Sequence, residues 1–335
     1  MDPLKYPYEL LEEELVQWTG MKHMVACNSG TAALHLALES LELPSGSEVI
    51  VPDFTMVAVP RAVRMAGLEP VFIGCNDHLN MDDGLIAQAV TPRTRVILPV
   101  HTYGRRCNMD RIHIAAALHG LHVVEDMAEL HGVTPHQFTD LACWSFYRNK
   151  VVNGEEGGAV GSRNYYRALV ARELRSLGFN DKHDYFHRPR GHNYRLANSL
   201  ANLIRDSLGN VQSSLDLRRL RERWYDEYCP PQWRMPKRDS VWVYDLRVPG
   251  LTWGAQEVLV SKLNWQGIAA RQSFKPMSMQ KEFDRCKTVG SVRKASNETF
   301  YLPTDPGVGY DQVATTMLIV KEFCSRLPSV NSASP

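Results

Sequence analysis

Short apolar runs alternate with segments of helical periodicity along the first half of the chain, and this alternation limits the fold more than any other feature. The apolar runs lie at 49–51, 71–73, 96–100, 122–124 and 141–146. Between them, segments 31–41, 59–65 and 109–118 space their apolar residues as amphipathic helices do. Strands alternating with helices form βα units. The pattern therefore predicts an α/β fold with a mainly parallel sheet flanked by helices, and a ligand site at the carboxyl ends of the strands.

The second half of the chain has a different pattern. From about Tyr165 the sequence favours long, charged helices, and its run LDLRRLRERWYDEY predicts a solvated helix face, with a binding surface as the alternative. Three prolines, at 230, 231 and 236, then interrupt the chain, and 241–248 alternates as a strand does. We therefore predict a large α/β domain at 1–229, with long helices at its end. A smaller C-terminal α+β domain follows at 230–335, and it ends in a frayed tail, SVNSASP.

Composition excludes several classes of protein. In this chain of 335 residues, 38 Lys and Arg balance 37 Asp and Glu, so we expect neither a nucleic-acid nor a membrane partner. Seven cysteines without a CxxC pair argue against a disulfide framework and against a thiolate metal site, and we expect no metal. The first residues are acidic and lack the basic and apolar regions of a signal peptide. We expect a soluble, cytoplasmic protein.

The segment CNSGTAALHLALESL contains a candidate anion site. It places Ser29, Gly30 and Thr31 directly before a helix of apolar periodicity. The first backbone N–H groups of a helix have no intrahelical partner, and the positive end of the helix dipole favours a phosphate there. An ordinary N-cap has the same sequence, so this segment alone does not define a site.

A carboxylate and a lysine follow two later strands. LHVVEDMAELHG ends a strand with Glu125 and Asp126, whereas LACWSFYRNK ends a strand at about Ser145 and continues to Lys150. Taken singly, a strand-end carboxylate often caps a helix or pairs with an arginine, and a loop lysine is usually solvated. Their order along the chain points to pyridoxal phosphate, which needs an anion site, a carboxylate for its pyridine nitrogen and an amine for a Schiff base.

Several stretches in sequence order resemble the DegT/DnrJ/EryC1/StrS family of sugar aminotransferases, which are pyridoxal-phosphate enzymes of fold type I. The resemblance runs from about Leu11 to Leu318. The matching stretches are NSGTAALHLAL, GSEVIVPDFT, TPRTRVILPVHTYG, VVEDMAELHG, WSFYRNK with EGGAV, GHNYR, and GIAARQSFKPMSMQ. The resemblance implies the fold-type-I architecture, pyridoxal 5'-phosphate as cofactor, and a homodimer.

The same resemblance implies roles for individual residues. Lys150 is expected to bind the cofactor covalently, and Asp126 to pair with the pyridine nitrogen. Asn193, in GHNYR, is expected to reach the phosphate of the neighbouring subunit, which requires a two-fold dimer. Arg195 is expected to bind a carboxylate or phosphate of the substrate, with a structural salt bridge as the alternative. The residues implied to hold the phosphate within the same subunit are Gly30, Thr31 and Ser145.

Three positions depart from the family pattern. Met56 stands where the family commonly stacks an aromatic side chain on the cofactor ring, and its thioether can cover the same face. Glu129 stands where a glutamine often approaches the phenolic oxygen of the cofactor. Ser278 stands where a histidine frequently follows the FxP segment, which puts any histidine contact to a sugar in doubt.

The implied reaction transfers an amino group from an amino acid, with glutamate as the expected donor, to a keto-sugar that is nucleotide-linked in most of the family. One alternative is a dehydratase, cyclase or lyase of the same fold. Lys150 favours transamination, because the dehydratase branch replaces this lysine by histidine. A second alternative is a binding homologue without catalysis. A nicotinamide-dependent dehydrogenase is disfavoured, because the chain has no GxGxxG.

Overall fold

The computed structural model describes residues 5–179 and 185–327 of the chain. Within them the strands are β1 (His23–Cys27), β2 (Glu48–Pro52), β3 (Glu69–Ile73), β4 (Thr94–Ile97), β5 (His122–Asp126), β6 (Leu141–Ser145), β7 (Gly158–Ser162), β8 (Tyr244–Arg247), β9 (Arg271–Gln272), β10 (Thr288–Val289) and β11 (Thr299–Leu302). The α-helices are α1 (Pro7–Thr19), α2 (Gly30–Glu39), α3 (Ala58–Met65), α4 (Ile86–Ala89), α5 (Met109–His119), α6 (Tyr165–Arg175), α7 (Asn198–Gly209), α8 (Val211–Tyr228), α9 (Trp253–Trp265), α10 (Arg293–Glu298) and α11 (Tyr310–Cys324). None of these helices is long and apolar enough to cross a membrane. The tail at 329–335 lies outside the described residues.

Eight strands form a mainly parallel sheet, as the sequence predicts. Their order is β1-β7-β6-β5-β4-β2-β3-β10. Neighbouring strands are parallel except where β7 pairs with β1 and with β6. The apolar runs of the first half become β2 to β6, whereas β1 and the two-residue strand β10 were not predicted.

Helices cover both faces of this sheet, and β2 shows why. Successive side chains of a strand point to opposite faces. Val49 and Val51 belong to one buried cluster with residues of α2 and α3, while Ile50 belongs to a second cluster with residues of α4 and α5. All three side chains are buried, so the strand is apolar on both faces, as expected for the centre of a parallel sheet.

A second, antiparallel sheet has the order β8-β11-β9. Its core joins residues of α9 and α11 to Tyr225, from the last turns of α8. The predicted strand at 241–248 is shorter than expected, because β8 begins at Tyr244. The division into domains at 229 and 230 stays a prediction.

The long, charged helices predicted after about Tyr165 include α7 and α8, which meet at Asn210, and the run LDLRRLRERWYDEY lies on α8. The prediction that its charged run is a solvated face was wrong for part of α8. Arg218 is buried and donates to the backbone oxygen of Trp242 at 2.7 Å and to Asp305 at 2.9 Å. Arg221 is also buried and donates to the backbone oxygen of Val308 at 3.0 Å. These arginines connect α8 to the segment before β8 and to the segment after β11.

A buried ionic network connects the two sheets. Asp245 of β8 accepts hydrogen bonds from Arg105, which follows β4, at 2.7 Å and from Arg238 at 2.6 Å. Arg238 also donates to Glu222 of α8 at 2.9 Å. The backbones of the two connecting segments meet closely at Gly104, where a Cβ would lie 1.8 Å from the backbone oxygen of Ser240. Only glycine permits this approach, which brings the second sheet against the strand ends of the first.

Candidate active site

A cavity of about 400 Å³ lies at the carboxyl ends of β5 and β6, beside the amino-terminal end of α2. This is the edge at which the α/β pattern predicts a ligand. Residues from distant parts of the chain line it, including Trp242 before β8, Phe274 after β9 and Tyr301 within β11. The predicted site residues that line the cavity are Gly30, Thr31, Met56, Asp126, Glu129, Ser145 and Lys150.

The start of α2 forms the anion-binding end of the cavity. Ser29 caps the helix, because its hydroxyl accepts the backbone N–H of Ala32 at 3.1 Å. Gly30 lies against Ser145 at the end of β6, and a Cβ at Gly30 would lie 2.7 Å from the Cβ of Ser145. Glycine therefore lets the helix start approach the serine hydroxyl, while Thr31 occupies the first turn, where backbone N–H groups lack helical partners. This arrangement suits a phosphate.

Lys150 lies in the turn after β6 and reaches into the cavity. Its side chain is 11% exposed, and its Nζ lies 3.9 Å from Oε1 of Glu129. Nζ also lies 3.8 Å from the centre of the Trp242 ring, whose indole N–H donates to the backbone oxygen of Asn149 at 2.8 Å. Burial lowers the pKa of Lys150 and outweighs the opposite effects of Glu129 and Asp126. The amine is therefore easier to deprotonate than an exposed lysine.

Two buried carboxyl groups accompany this amine. Asp126 ends β5, and its Oδ1 accepts the backbone N–H of Ala128 at 2.9 Å. Burial raises the pKa of Asp126, against the opposing effects of this hydrogen bond and of Lys150. Glu129 accepts the backbone N–H of Tyr103 at 2.7 Å, and burial raises the pKa of Glu129 to about 7. A cation placed beside Asp126 would compensate the cost of its buried charge.

The structure separates the two adjacent acids at the end of β5. Glu125 does not line the cavity, and its carboxylate lies 2.9 Å from Nε2 of the buried His101. It also accepts the backbone N–H of His136 at 2.8 Å. Because adjacent residues of a strand point to opposite faces, only Asp126 faces the ligand edge. Glu125 instead anchors the loops on the other face.

Many residues that line the cavity were not predicted as site residues. Thr55 lines it with a buried hydroxyl that has no hydrogen-bond partner in the described part of the chain. Trp242 was placed only on a predicted strand, and no motif marked it as a site residue. The other lining residues to which the sequence motifs gave no site role are Leu34, Ala58, Val59, Val100, Ala128, Cys143, Trp144, Tyr147, Asn149, Glu156, Phe274 and Tyr301.

Asn193 and Arg195 do not line this cavity. Both are exposed, and Arg195 donates to Oδ1 of Asn193 at 3.0 Å. Ser278 also lies outside it, where its hydroxyl donates to Asp53 at 2.8 Å. The predicted roles of Asn193 and Arg195 at the site of a neighbouring subunit therefore stay predictions.

An anion site, a strand-end aspartate and a buried lysine in one α/β cavity fit the class of enzymes that use pyridoxal phosphate. The family described as the DegT/DnrJ/EryC1/StrS aminotransferase family matches residues 6–321, and the chain belongs to it. The fold class and the enzyme class predicted from the sequence are thereby confirmed.

Individual relatives support the same conclusion. The chain is 32% identical over 313 residues to a GDP-perosamine synthase of Caulobacter vibrioides, covering 89% of this chain and 84% of that protein. It is 32% identical over 323 residues to a UDP-N-acetyl-3-dehydro-α-D-glucosamine 3-aminotransferase of Acidithiobacillus ferrooxidans, covering 93% and 87%. The crystal structure of a 3-amino-5-hydroxybenzoic acid synthase is 27% identical and superposes with a TM-score of 0.87, covering 96% of this chain and 91% of that one.

Proposed function

We propose that this protein is a pyridoxal-phosphate-dependent aminotransferase that takes an amino group from glutamate and transfers it to a nucleotide-linked keto-sugar. The observation that carries the proposal is the position of Lys150, a buried amine in one cavity with Asp126 and the start of α2. Relatives named for GDP-linked and UDP-linked sugars support the choice of acceptor.

The residues of the cavity fit the cofactor. Gly30 and Thr31, with the hydroxyl of Ser145, would hold its phosphate at the start of α2. Asp126 would accept a hydrogen bond from the pyridine nitrogen. Within the described residues, its carboxylate accepts a hydrogen bond only from the backbone N–H of Ala128. Met56, which is 53% exposed, would cover one face of the ring.

Further polar groups of the cavity would meet the cofactor. The hydroxyl of Thr55 is a buried donor at the wall of the cavity, and it has no hydrogen-bond partner among residues 5–179 and 185–327. Glu129 would lie near the phenolic oxygen, and with its pKa near 7 it would hold a proton there in part of the population at neutral pH. The hydroxyl of Thr55 and the carboxyl group of Glu129 would therefore both gain a hydrogen-bond partner when the cofactor binds.

When bound, the cofactor supplies an aldehyde that condenses with amines and a ring that accepts electrons from the α-carbon of the donor. Lys150 would hold the cofactor covalently and, as a free amine, would serve as the general base, because its lowered pKa makes it easier to deprotonate than an exposed lysine. Asp126 would hold a proton at the pyridine nitrogen. Trp242 packs over Nζ of Lys150 and restricts the positions that the amine occupies during proton transfer.

A homodimer and a cytoplasmic location are part of the proposal. Asn193 of one subunit would reach the phosphate held by the other, and Arg195 would bind a carboxylate or phosphate of the substrate. The exposure of both side chains supports this assignment, because residues that serve a neighbouring subunit must lie on the surface of their own.

Borohydride trapping tests the covalent role of Lys150. The protein is saturated with pyridoxal phosphate, reduced, digested and mapped by mass spectrometry, and the pyridoxyl group is expected on Lys150. Lys150→Arg should keep the far-ultraviolet circular dichroism of the parent and carry no label, because guanidinium is a poor nucleophile at neutral pH. Lys275→Arg is the matched control, because burial also lowers the pKa of Lys275, and it should leave the label on Lys150. Label on a different lysine would refute the assignment.

Turnover assays test the reaction. Glutamate should yield 2-oxoglutarate catalytically only when a keto-sugar acceptor is present, and a panel of GDP-, UDP- and dTDP-linked 3- and 4-keto sugars then identifies the acceptor. Consumption of a sugar nucleotide without any amino donor would instead indicate a lyase.

A further inference from the structure

Three potential metal ligands meet at the far end of α2, outside the cavity. His35 and Glu39 are four residues apart on this helix, so their side chains lie on one face. His192 approaches the same face from the segment that precedes Asn193. One ligand atom from each of the three side chains lies within 4.8 Å of the other two. The topology thus brings two histidines and a carboxylate together from positions more than 150 residues apart along the chain.

The distances are close to those of a metal site. Nε2 of His192 lies 2.6 Å from Oε2 of Glu39, and Nε2 of His35 lies 3.7 Å from Oε1 of the same carboxylate. Ligands of a tetrahedral Zn²⁺ lie about 3.3 Å apart, given Zn–N and Zn–O distances of about 2.0 to 2.1 Å. The two nitrogen–oxygen distances would therefore have to change by about 0.7 Å and about 0.4 Å to match such a site.

The surroundings of His35 suit a metal ligand. Its side chain is 3% exposed, and its Nε2 is buried without a hydrogen-bond partner in the described part of the chain. Its other ring nitrogen, Nδ1, lies 3.2 Å from the hydroxyl of Tyr194, which fixes the ring with Nε2 towards Glu39. Metal-binding histidines usually have such a partner at the second nitrogen.

We propose that His35, Glu39 and His192 bind Zn²⁺, with water in the fourth position. Two imidazoles and one carboxylate are a ligand set that zinc accepts. The competing cation is Arg190, whose guanidinium lies 3.7 Å from Oε1 of Glu39. Its side chain is 67% exposed, so it can move into solvent when the ion binds.

The ion would connect the helix that begins at this subunit's proposed phosphate site to the segment that is proposed to reach the phosphate site of a neighbouring subunit. It would join α2, whose first turn holds Gly30 and Thr31, to the segment that carries Asn193 next to His192. Such a link lowers the conformational freedom of a segment that must keep a fixed position to reach a partner subunit. Zinc binding therefore stabilises this segment without entering the chemistry at Lys150.

Isothermal titration with ZnCl₂ tests the proposal. The holoenzyme is used after its affinity tag has been removed and resident metal has been stripped with a chelator. One Zn²⁺ per chain is expected to bind the parent protein. His192→Ala should weaken binding by about 100-fold or more, because loss of a direct ligand costs at least as much as loss of a supporting group. Glu39→Gln should weaken it as well, and Co²⁺ should give the visible absorption of a tetrahedral complex in the parent only.

His136→Ala is the matched control. His136 also has a carboxylate partner, Asp110, at 3.1 Å, and its ring lies 4.4 Å from that of His113. The His136→Ala variant should bind Zn²⁺ with the affinity of the parent protein. Circular dichroism confirms the fold of each variant before titration. The proposal is wrong if the parent binds no stoichiometric Zn²⁺, or if folded His192→Ala and Glu39→Gln both bind it as tightly as the parent does.

Discussion

Replacing Glu129 by glutamine should change the pH dependence with which Lys150 captures the cofactor. Two unit charges 3.9 Å apart, the separation of Lys150 Nζ and Glu129 Oε1, attract by about 4 kcal/mol at an effective dielectric constant of about 20. Water at the mouth of the cavity and partial protonation of Glu129 reduce this energy, and we take about a third of it, ~1.4 kcal/mol, which is a factor of about 10 in an equilibrium constant. Loss of the negative charge therefore lowers the pKa of Lys150 and raises the fraction of neutral amine.

The rate of covalent attachment measures this fraction, since only the neutral amine attacks the aldehyde. Protein freed of cofactor is mixed with pyridoxal phosphate, and the visible absorbance is followed from pH 6 to pH 9. Between the pKa of Glu129, about 7, and that of Lys150, Glu129→Gln should react about tenfold faster than the parent. Below pH 7 the ratio should fall towards one, because Glu129 of the parent is then protonated as well.

A matched control separates this local effect from general attraction of the anionic cofactor. Glu156→Gln removes the same charge from the same cavity at an exposed position. It should accelerate attachment slightly and equally at every pH. A Glu129→Gln ratio that does not vary with pH, or that Glu156→Gln reproduces, would contradict the reasoning.

Three further predictions concern catalysis, stability and assembly. Asp126→Asn should still bind the cofactor but slow the single-turnover reaction with glutamate by about 100-fold or more, and a rate within about twofold of the parent would contradict its role. Arg238→Met should lower the free energy of unfolding by about 3 to 5 kcal/mol in urea titrations, because it leaves Asp245 with one arginine, whereas the exposed Arg223→Met on α8 should have little effect. Mixing Lys150→Ala with Asn193→Asp should give more activity than the sum of the two variants measured separately, because one site of each heterodimer then has both native residues. No gain, although native mass spectrometry detects heterodimers, would place Asn193 outside the neighbouring site.

Local patterns predicted the first sheet because its strands carry the pattern themselves. The run at 49–51 is apolar on both faces, which is a property of three adjacent residues and needs no knowledge of their neighbours. β10 has only two residues and exists because Lys287, Thr288 and Val289 lie beside β3. No local pattern reports such a contact.

The site was predictable where its residues occur in contiguous motifs at helix starts and strand ends. Asp126 and Ser145 end strands, and Lys150 follows one within five residues. Trp242 reaches Lys150 only through the packing of the second sheet on the first, which depends on the pairing of Arg105 with Asp245. Contacts of this kind join residues about 100 or more positions apart, and their spacing along the chain carries no chemical signal.

The charges of the cavity bear on why a second subunit should complete it. Among the described residues that line the cavity, Lys150 is the only basic one, against the three acids Asp126, Glu129 and Glu156. Once Lys150 has bound the aldehyde, the phosphate of the cofactor relies on the helix dipole and neutral donors at the start of α2, an interaction of about 1 to 2 kcal/mol. A dianion in a cavity with an excess of acids needs more compensation than that. Asn193 is exposed and its own cavity does not use it, so we expect the Asn193 of a two-fold mate to supply a further donor to this phosphate, with Arg195 beside it available to the substrate.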